Sequence, residues 1–238
     1  MKTFKLHLIR HGITAGNLQG LYIGSGTDLP LCDEGRAQLA DLKERFDYPQ
    51  VDTVFSSPLL RAVETANILF PGAAHQFTVH DLREAGFGKF EGRPVKELVH
   101  DEDFKKWITP GSGYLPEGAE PTEQFHARCA DSLMKLFEYM IRMDVTEAAC
   151  VTHGGVIMSM LSQRPPPRAV DGRPGLRLHC ADRCAAVDAG QAGRGHRHRT
   201  LRLRRHPAGA GRGRGERGLR ISYSFPPPLD RTRRILYC

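Results

Sequence analysis

Side chains that could bind an anion recur at three places in the chain, each shortly after an apolar, strand-like run. Arg10 and His11 follow FKLHLI, Arg61 comes after VDTVFSS, and His153 follows EAACVT. Open α/β sheets bind ligands at the carboxyl ends of their strands, so these side chains are expected to meet at one edge. Two of the places also open a helix, whose N-terminal N–H groups attract negative charge. Together they predict a site for a phosphate monoester.

Residues 1–163 alternate strand-like and helix-like segments, which predicts a sheet covered by helices. The segment VDTVFSS is short and rich in β-branched residues, as strands are. The helix after it is expected to begin at Pro58, because proline favours the first helical position and Ser57 suits the N-cap. The expected strands span residues 4–9, 51–57 and 77–84, the expected helices span 33–46, 58–70 and 119–143, and a strand–turn–helix unit spans 147–161.

Each candidate side chain also has an ordinary structural interpretation. A histidine after a strand is usually a surface or capping residue, and an arginine in a first helical turn usually forms a solvated ion pair. The recurrence of one arrangement after three strands favours the anion site over three separate explanations. Five other histidines lack this context and are given no catalytic role: His7, His75, His80, His100 and His126.

Four segments of the chain resemble the signature segments of the histidine phosphatase superfamily, the phosphoglycerate mutase-like group. They are LIRHGITAGN, SSPLLRAVETA, LREAGFGKFEG and VTHGG. The resemblance covers residues 1 to about 162. It implies an α/β three-layer sandwich, in which helices cover both faces of a mostly parallel sheet.

The resemblance also implies a role for each site residue. His11 is the nucleophile that becomes phosphohistidine, and Glu84 donates the proton to the leaving group. His153 acts in catalysis and also belongs to the phosphate pocket, together with Arg10, Asn17 and Arg61. Nearby cations favour the neutral imidazole that a nucleophile must be. The resemblance implies neither a metal nor a cofactor.

Two departures from the family pattern bear on the substrate. Ser25 and Gly26 stand where a bulky residue is common, and we expect a looser loop there. The spacing from REAGFGKFEG to His153 is modest, which favours a phosphatase over a mutase. We therefore expect a phosphomonoesterase for small phosphorylated metabolites or for the nucleotide-loop precursor of cobalamin. Phosphoglycerate mutase-type transfer is the alternative, and Glu91 and Glu97 are interpreted as solvated loop carboxylates.

The charge of the chain divides at the proline run QRPPPR. Residues 1–163 carry 16 basic and 22 acidic side chains, a net charge of −6, and form the expected catalytic domain. Residues 164–238 carry 18 arginines and 5 acidic side chains, a net charge of +13. They lack a sustained apolar period, so the strands that close the sheet in the family are expected to be missing.

We interpret residues 164–238 as a disordered, Arg/Gly/Pro-rich tail produced by a shifted reading frame, because proline codons form cytosine-rich tracts that commonly gain or lose a base. Two other interpretations remain open. GRGRGERG suits charge-driven binding to nucleic acid, which would make the chain a catalytically decayed enzyme with a basic tail. HCADRC suggests zinc, although its spacing fits no usual zinc site.

Length and composition place the chain among single-domain α/β proteins. It has 238 residues, of which 40% are hydrophobic, and no run approaches the roughly 20 apolar residues of a spanning helix. We expect a cytoplasmic protein. Its expected partner is a small phosphorylated substrate, with no membrane, and with nucleic acid bound only non-specifically through the basic tail.

Overall fold

The computed structural model describes residues 3–162, 180–181 and 218–224. Its strands, in chain order, are β1 Thr3–Arg10, β2 Thr53–Ser56, β3 His75–Thr78, β4 Glu147–Thr152, β5 Cys180–Ala181 and β6 Gly218–Ser224. They form one six-stranded sheet in the order β3-β2-β4-β1-β6-β5. All neighbouring strands in this sheet run parallel.

Helices account for about half of the remaining described residues. They are α1 Ala15–Leu18, α2 Asp33–Arg45, α3 Leu60–Leu69, α4 Val95–Leu98, α5 Glu102–Ile108, α6 Thr122–Arg142 and α7 Gly154–Ser162. Single 3-10 turns lie at His80–Leu82 and Gly88–Phe90. Within the described residues, no helix is long and apolar enough to span a membrane.

Helices cover both faces of the sheet. The buried side chains of α6 and α7 pack on one face, and those of α2 and α3 pack on the other. The central strand β4 packs against both helical layers. Ala148 and Cys150 face α6 and α7, whereas Ala149 and Val151 face α2 and α3. A parallel strand buried on both faces is apolar throughout in this way. The predicted three-layer α/β sandwich is confirmed.

Strand register brings the ends of three strands to one edge. Arg10, the last residue of β1, pairs with Thr152, the last residue of β4. β2 pairs with β4 as well, and the backbone N–H of Ser57 just beyond β2 donates to the carbonyl of Val151 at 2.9 Å. The segments that follow β1, β2 and β4 therefore leave the sheet side by side.

Among the element boundaries that differ from those expected, two have a clear physical cause. β3 is His75–Thr78 instead of residues 77–84, because after Val79 the chain turns out of the sheet and buries Leu82 completely in the core. α3 begins at Leu60, since Leu59 keeps an extended conformation. Ser57 is therefore not its N-cap.

The end of the chain contributes two strands where none was expected. β6 pairs with β1 over seven residues, and the two-residue strand β5 pairs with β6. In GLRISYS, apolar and polar residues alternate, as they do in strands, and its backbone pairs with the otherwise open side of β1. Most of the proposed disordered tail lies outside the described residues, and its shifted-frame origin stays a hypothesis.

Candidate active site

Two buried histidines meet at the shared edge of β1 and β4. His11 follows β1 and His153 follows β4, and their ring centroids lie 5.1 Å apart with the planes tilted by 56°. His11 is 7% exposed and His153 is fully buried. The backbone N–H of His11 donates to the carbonyl of Thr152 at 2.9 Å, which holds the two segments together beyond the paired strands.

The His11 ring has a defined tautomer when it is neutral. Its Nδ1 lies 2.7 Å from the carbonyl oxygen of Gly12, and because a carbonyl only accepts, Nδ1 must carry the proton. Nε2 then keeps its lone pair. Burial lowers the pKa of His11 well below 6.5, and the positive charges of Arg61 and Arg10 lower it further. His11 is therefore neutral, with the lone pair of Nε2 available.

Helix α3 fixes the backbone directly after His11. The N–H of Gly12 donates to Thr65 Oγ1 at 2.9 Å, and the Thr65 hydroxyl donates to the Arg61 carbonyl at 2.6 Å. A Cβ at position 12 would lie only 2.7 Å from the Leu39 side chain. The close approach of this turn to α2 therefore favours glycine, because a larger residue would displace the Leu39 side chain.

Arg61 lies almost completely buried in the site, with 1% of its surface exposed. Its two Nη atoms donate to the carbonyls of Thr27 at 3.0 Å and Gly24 at 2.9 Å. Burial lowers the pKa of its guanidinium, which the charge of Glu84 opposes. Arginine nevertheless stays charged in proteins, so α3 delivers a fixed cation to the edge where His11 lies.

His153 has one partnered and one unpartnered ring nitrogen. Nε2 lies 2.7 Å from Ser57 Oγ, whereas the buried Nδ1 has no hydrogen-bond partner among the described residues. Burial and the neighbouring charges of Arg61 and Arg10 keep its pKa well below 6.5. A buried polar atom without a partner is costly, so Nδ1 is suited to meet an oxygen of a bound substrate.

Glu84 provides a buried carboxyl group opposite the cations. Its two oxygens accept from the N–H groups of Ala85 and Gly155, each at 3.0 Å. Burial raises the pKa of Glu84 above its usual 4.5, although those two hydrogen bonds and the nearby arginines oppose the rise. A carboxyl group with a raised pKa keeps its proton to a higher pH and can act as an acid.

Arg128 was missed by the sequence analysis and holds the segment that carries Glu84. It donates to the carbonyls of Asp81, Arg83 and Glu84 at 2.8, 2.7 and 3.0 Å. Its other bonds, at 2.6 and 2.7 Å, go to both carboxylate oxygens of Glu120. A cation on the otherwise apolar face of α6 was the one signal in the sequence that pointed to it.

The remaining predicted site residues have clear positions. The charge of Arg10 acts on His11, His153, Arg61 and Glu84 alike, which places it in the same group. Asn17 instead completes the capping box of α1: its Oδ1 accepts from the backbone N–H and the hydroxyl of the N-cap Thr14, each at 3.0 Å. Its part in phosphate binding stays a prediction. Among the described residues, no group of three or more His, Cys, Asp or Glu side chains could hold a metal ion.

Comparison with known proteins identifies the family. Residues 6–169 match the model of the histidine phosphatase superfamily, branch 1. The chain belongs to this superfamily. It is 32% identical to zebrafish (Danio rerio) fructose-2,6-bisphosphatase TIGAR B, over 75% of this chain and 69% of the relative. It is 29% identical to the adenosylcobalamin/α-ribazole phosphatase of Salmonella typhimurium, over 67% of this chain and 78% of the relative.

Solved structures agree with the fold and the family. The α-ribazole phosphatase of Shigella flexneri matches with a TM-score of 0.55 and 29% identity, over 66% of this chain and 76% of that chain. A phosphoglycerate mutase from Thermus thermophilus matches with a TM-score of 0.51 and 34% identity, over 67% and 81%. The resemblance inferred from the sequence is confirmed, and the chain is a histidine phosphatase, an enzyme that hydrolyses phosphoric monoesters.

The two glycines that open α7 give a test of the Glu84 position. A Cβ at Gly155 would lie 2.5 Å from Glu84 Oε1, whereas one at Gly154 would lie 3.8 Å from Arg10 Nε, an ordinary contact. We expect Gly155→Ala to displace the carboxyl and lower kcat about tenfold or more. Gly154→Ala is the matched control and should keep near-normal kcat. Steady-state kinetics check both, and equal rates for the two variants would contradict this geometry.

Proposed function

We propose that this enzyme hydrolyses small phosphorylated metabolites through a phosphohistidine intermediate on His11. The observation that carries the proposal is the buried, neutral His11 ring, whose Nδ1 is bound to Gly12 so that Nε2 is the free nucleophile. In the first step Nε2 attacks phosphorus and the ester P–O bond breaks. In the second step water attacks the phosphohistidine, and the N–P bond breaks to release inorganic phosphate.

Charge at the site supports both steps. Phosphate monoesters hydrolyse so slowly in water that enzymes must supply accelerations approaching ~10²¹, largely by positioning and electrostatic stabilisation. In our proposal Arg10, Arg61, the Nδ1 of His153 and the side chain of Asn17 hold the phosphoryl oxygens. The guanidinium groups supply positive charge throughout, so the proposed reaction needs no metal.

Glu84 is the proposed proton carrier. In the first step its carboxyl proton passes to the leaving alkoxide, and in the second step its carboxylate accepts a proton from the attacking water. Its raised pKa supports the first role, and its hydrogen bond to Gly155, at the start of α7, keeps it next to His153. The proton taken from water restores the carboxyl group of Glu84 for the next turnover.

The names of the relatives support the substrate class. The zebrafish relative is a fructose-2,6-bisphosphatase and the Salmonella relative is an α-ribazole phosphatase, and each name describes a phosphatase of a small phosphorylated molecule. We propose a substrate of this class for the present chain. The cytoplasm is the proposed location, because such metabolites are made and consumed inside cells.

Phosphoryl transfer to a second metabolite is the other candidate function. It is favoured by the likeness to the Thermus phosphoglycerate mutase structure and by 32% identity to a phosphoglycerate mutase-like protein of Arabidopsis thaliana. Both functions share the phosphohistidine. They differ in whether water or an acceptor hydroxyl group takes the phosphoryl group, which product analysis of the labelled enzyme distinguishes.

Trapping of the intermediate tests the proposed function. We expect a phosphomonoester with radioactive phosphorus to label the quenched wild-type enzyme, and the label to be lost in acid, because phosphohistidine is acid-labile. His11→Ala should carry no label, whereas His100→Ala, which removes an exposed histidine, should label normally. A chelator should not change the labelling. Acid-stable label, or label on His11→Ala, would rule out His11 as the nucleophile.

The pH profile tests the two proton roles. Activity needs neutral His11, so it should fall only when the pH drops below the lowered pKa of that ring, well under 6.5. It also needs protonated Glu84, so kcat should decline as the pH rises through a pKa above 4.5. Glu84→Gln should remove the alkaline limb and lower kcat on alkyl phosphates by about 10²- to 10⁴-fold.

The leaving group provides the control for this effect. p-Nitrophenyl phosphate releases a phenolate that departs without a proton, so Glu84→Gln should slow its phosphoryl transfer to His11 much less than that of an alkyl phosphate. Single-turnover kinetics on both substrates measure the difference. An equal loss on the two substrates would show that Glu84 does not act as the general acid.

A further inference from the structure

A carboxylate outside the proposed catalytic group binds four donors at once. Glu91 was interpreted from the sequence as a solvated loop residue, and the structure shows that this is wrong. Its two oxygens accept from three backbone N–H groups and one hydroxyl group: those of Gly24 at 3.0 Å, Gly26 at 3.0 Å, Thr27 Oγ1 at 3.1 Å and Phe87 at 3.2 Å. Three of these four donors belong to one short segment, residues 24–27.

Residues 24–27, here called the arginine loop, are also the residues that hold Arg61. The carbonyls of Gly24 and Thr27 accept the two Nη bonds of Arg61. The N–H of Gly24 and the hydroxyl of Thr27 donate to Glu91. Gly24 and Thr27 therefore connect the carboxylate to the guanidinium directly. The charge of Glu91 is also close enough to raise the pKa of Arg61.

The small residues of the arginine loop allow this arrangement. A Cβ at Gly24 would collide with the carbonyl of Ala85 and with Glu91, and a Cβ at Gly26 would lie 3.1 Å from Glu91 Cγ. The N–H of Ser25 donates to the same Ala85 carbonyl at 3.0 Å. The looser loop expected from Ser25 and Gly26 is therefore wrong, because every residue of the segment has a hydrogen bond to the 85–91 region.

We propose that Glu91 is a positioning residue that sets the place of the Arg61 guanidinium through the arginine loop. The proposal rests on the proposed function, because it gives Arg61 the task of holding phosphoryl oxygens. Within the part of the chain that the structure describes, the guanidinium donates only to the carbonyls of Gly24 and Thr27, and their positions depend on the conformation of the loop. A misplacement of about 1 Å in a group of this kind can cost about 10²-fold in rate.

A purely structural role for Glu91 makes a different prediction. If the carboxylate only stabilised the fold, its removal would lower the melting temperature, and the folded fraction would bind phosphate as before. If it acts through Arg61, its removal should weaken phosphate binding only while Arg61 is present. A double-mutant cycle between the two positions separates these outcomes.

The cycle uses inorganic phosphate as the probe, so that it needs no turnover. Calorimetry measures phosphate affinity for wild type, Glu91→Ala, Arg61→Ala and the double variant, with kcat/KM on p-nitrophenyl phosphate as a second readout. We expect Glu91→Ala to lower both by about tenfold or more in the wild-type background. In the Arg61→Ala background, Glu91→Ala should lower phosphate affinity and kcat/KM by about twofold or less, which is the deviation expected for sites that do not interact.

Matched variants keep the result interpretable. Glu97→Ala removes the same charge from an exposed position on α4 and should leave phosphate affinity unchanged. Glu91→Gln presents an amide N–H₂ to donor groups, and we expect it to behave like Glu91→Ala. If Glu91→Ala does not fold, Thr27→Val takes its place, because it removes the hydroxyl group that donates to Glu91. It should weaken phosphate binding when Arg61 is present and not in the Arg61→Ala background.

Two results would overturn the proposal. One is an equal loss of phosphate affinity with and without Arg61, and the other is a folded Glu91→Ala enzyme with unchanged affinity and kcat/KM. Either result leaves the phosphohistidine mechanism intact. Conversely, coupling between Glu91 and Arg61 in an enzyme that never carries an acid-labile label would overturn the proposed function and support the positioning role.

Discussion

Crowding of positive charge in a buried place is the constraint on which the rest of this site depends. His11 and His153 lie against each other and within the field of Arg10 and Arg61, so protonation of either ring would add a cation where burial and two guanidinium groups already oppose it. Arginine does not give up its proton, so the imidazoles remain neutral. In our proposal the same arrangement makes His11 the nucleophile and binds the phosphoryl group.

The surroundings of the site keep these groups in place largely through hydrogen bonds to the backbone. Arg61 is bound by two backbone carbonyls, and the backbone after His11 is bound by a threonine of α3. Glu84 lies on a segment whose carbonyls are bound by Arg128, and that cation pairs with Glu120. Groups fixed before the substrate arrives lose little free energy to reorganisation during the reaction.

The sequence allowed prediction of the strand-end residues but not of the residues that hold them. Arg10, His11, Arg61 and His153 follow recognisable strands, and parallel topology then forces them to one edge. Glu91 and Arg128 bind segments 67 and 44 residues away, respectively, so their contacts depend on loop conformations that no local pattern reveals. Strand β6 was missed because one short alternating run lies inside a segment dominated by arginine and glycine.

The protonation state of His11 can be observed directly by nitrogen-15 NMR of the histidine rings across a pH titration of the full chain, with His11→Ala used to assign the signals. We expect the His11 ring to stay neutral well below pH 6.5, with its proton on Nδ1 and a lone pair on Nε2. A ring that titrates near 6.5, or that carries its proton on Nε2, would contradict a nucleophile made neutral by burial and neighbouring arginines.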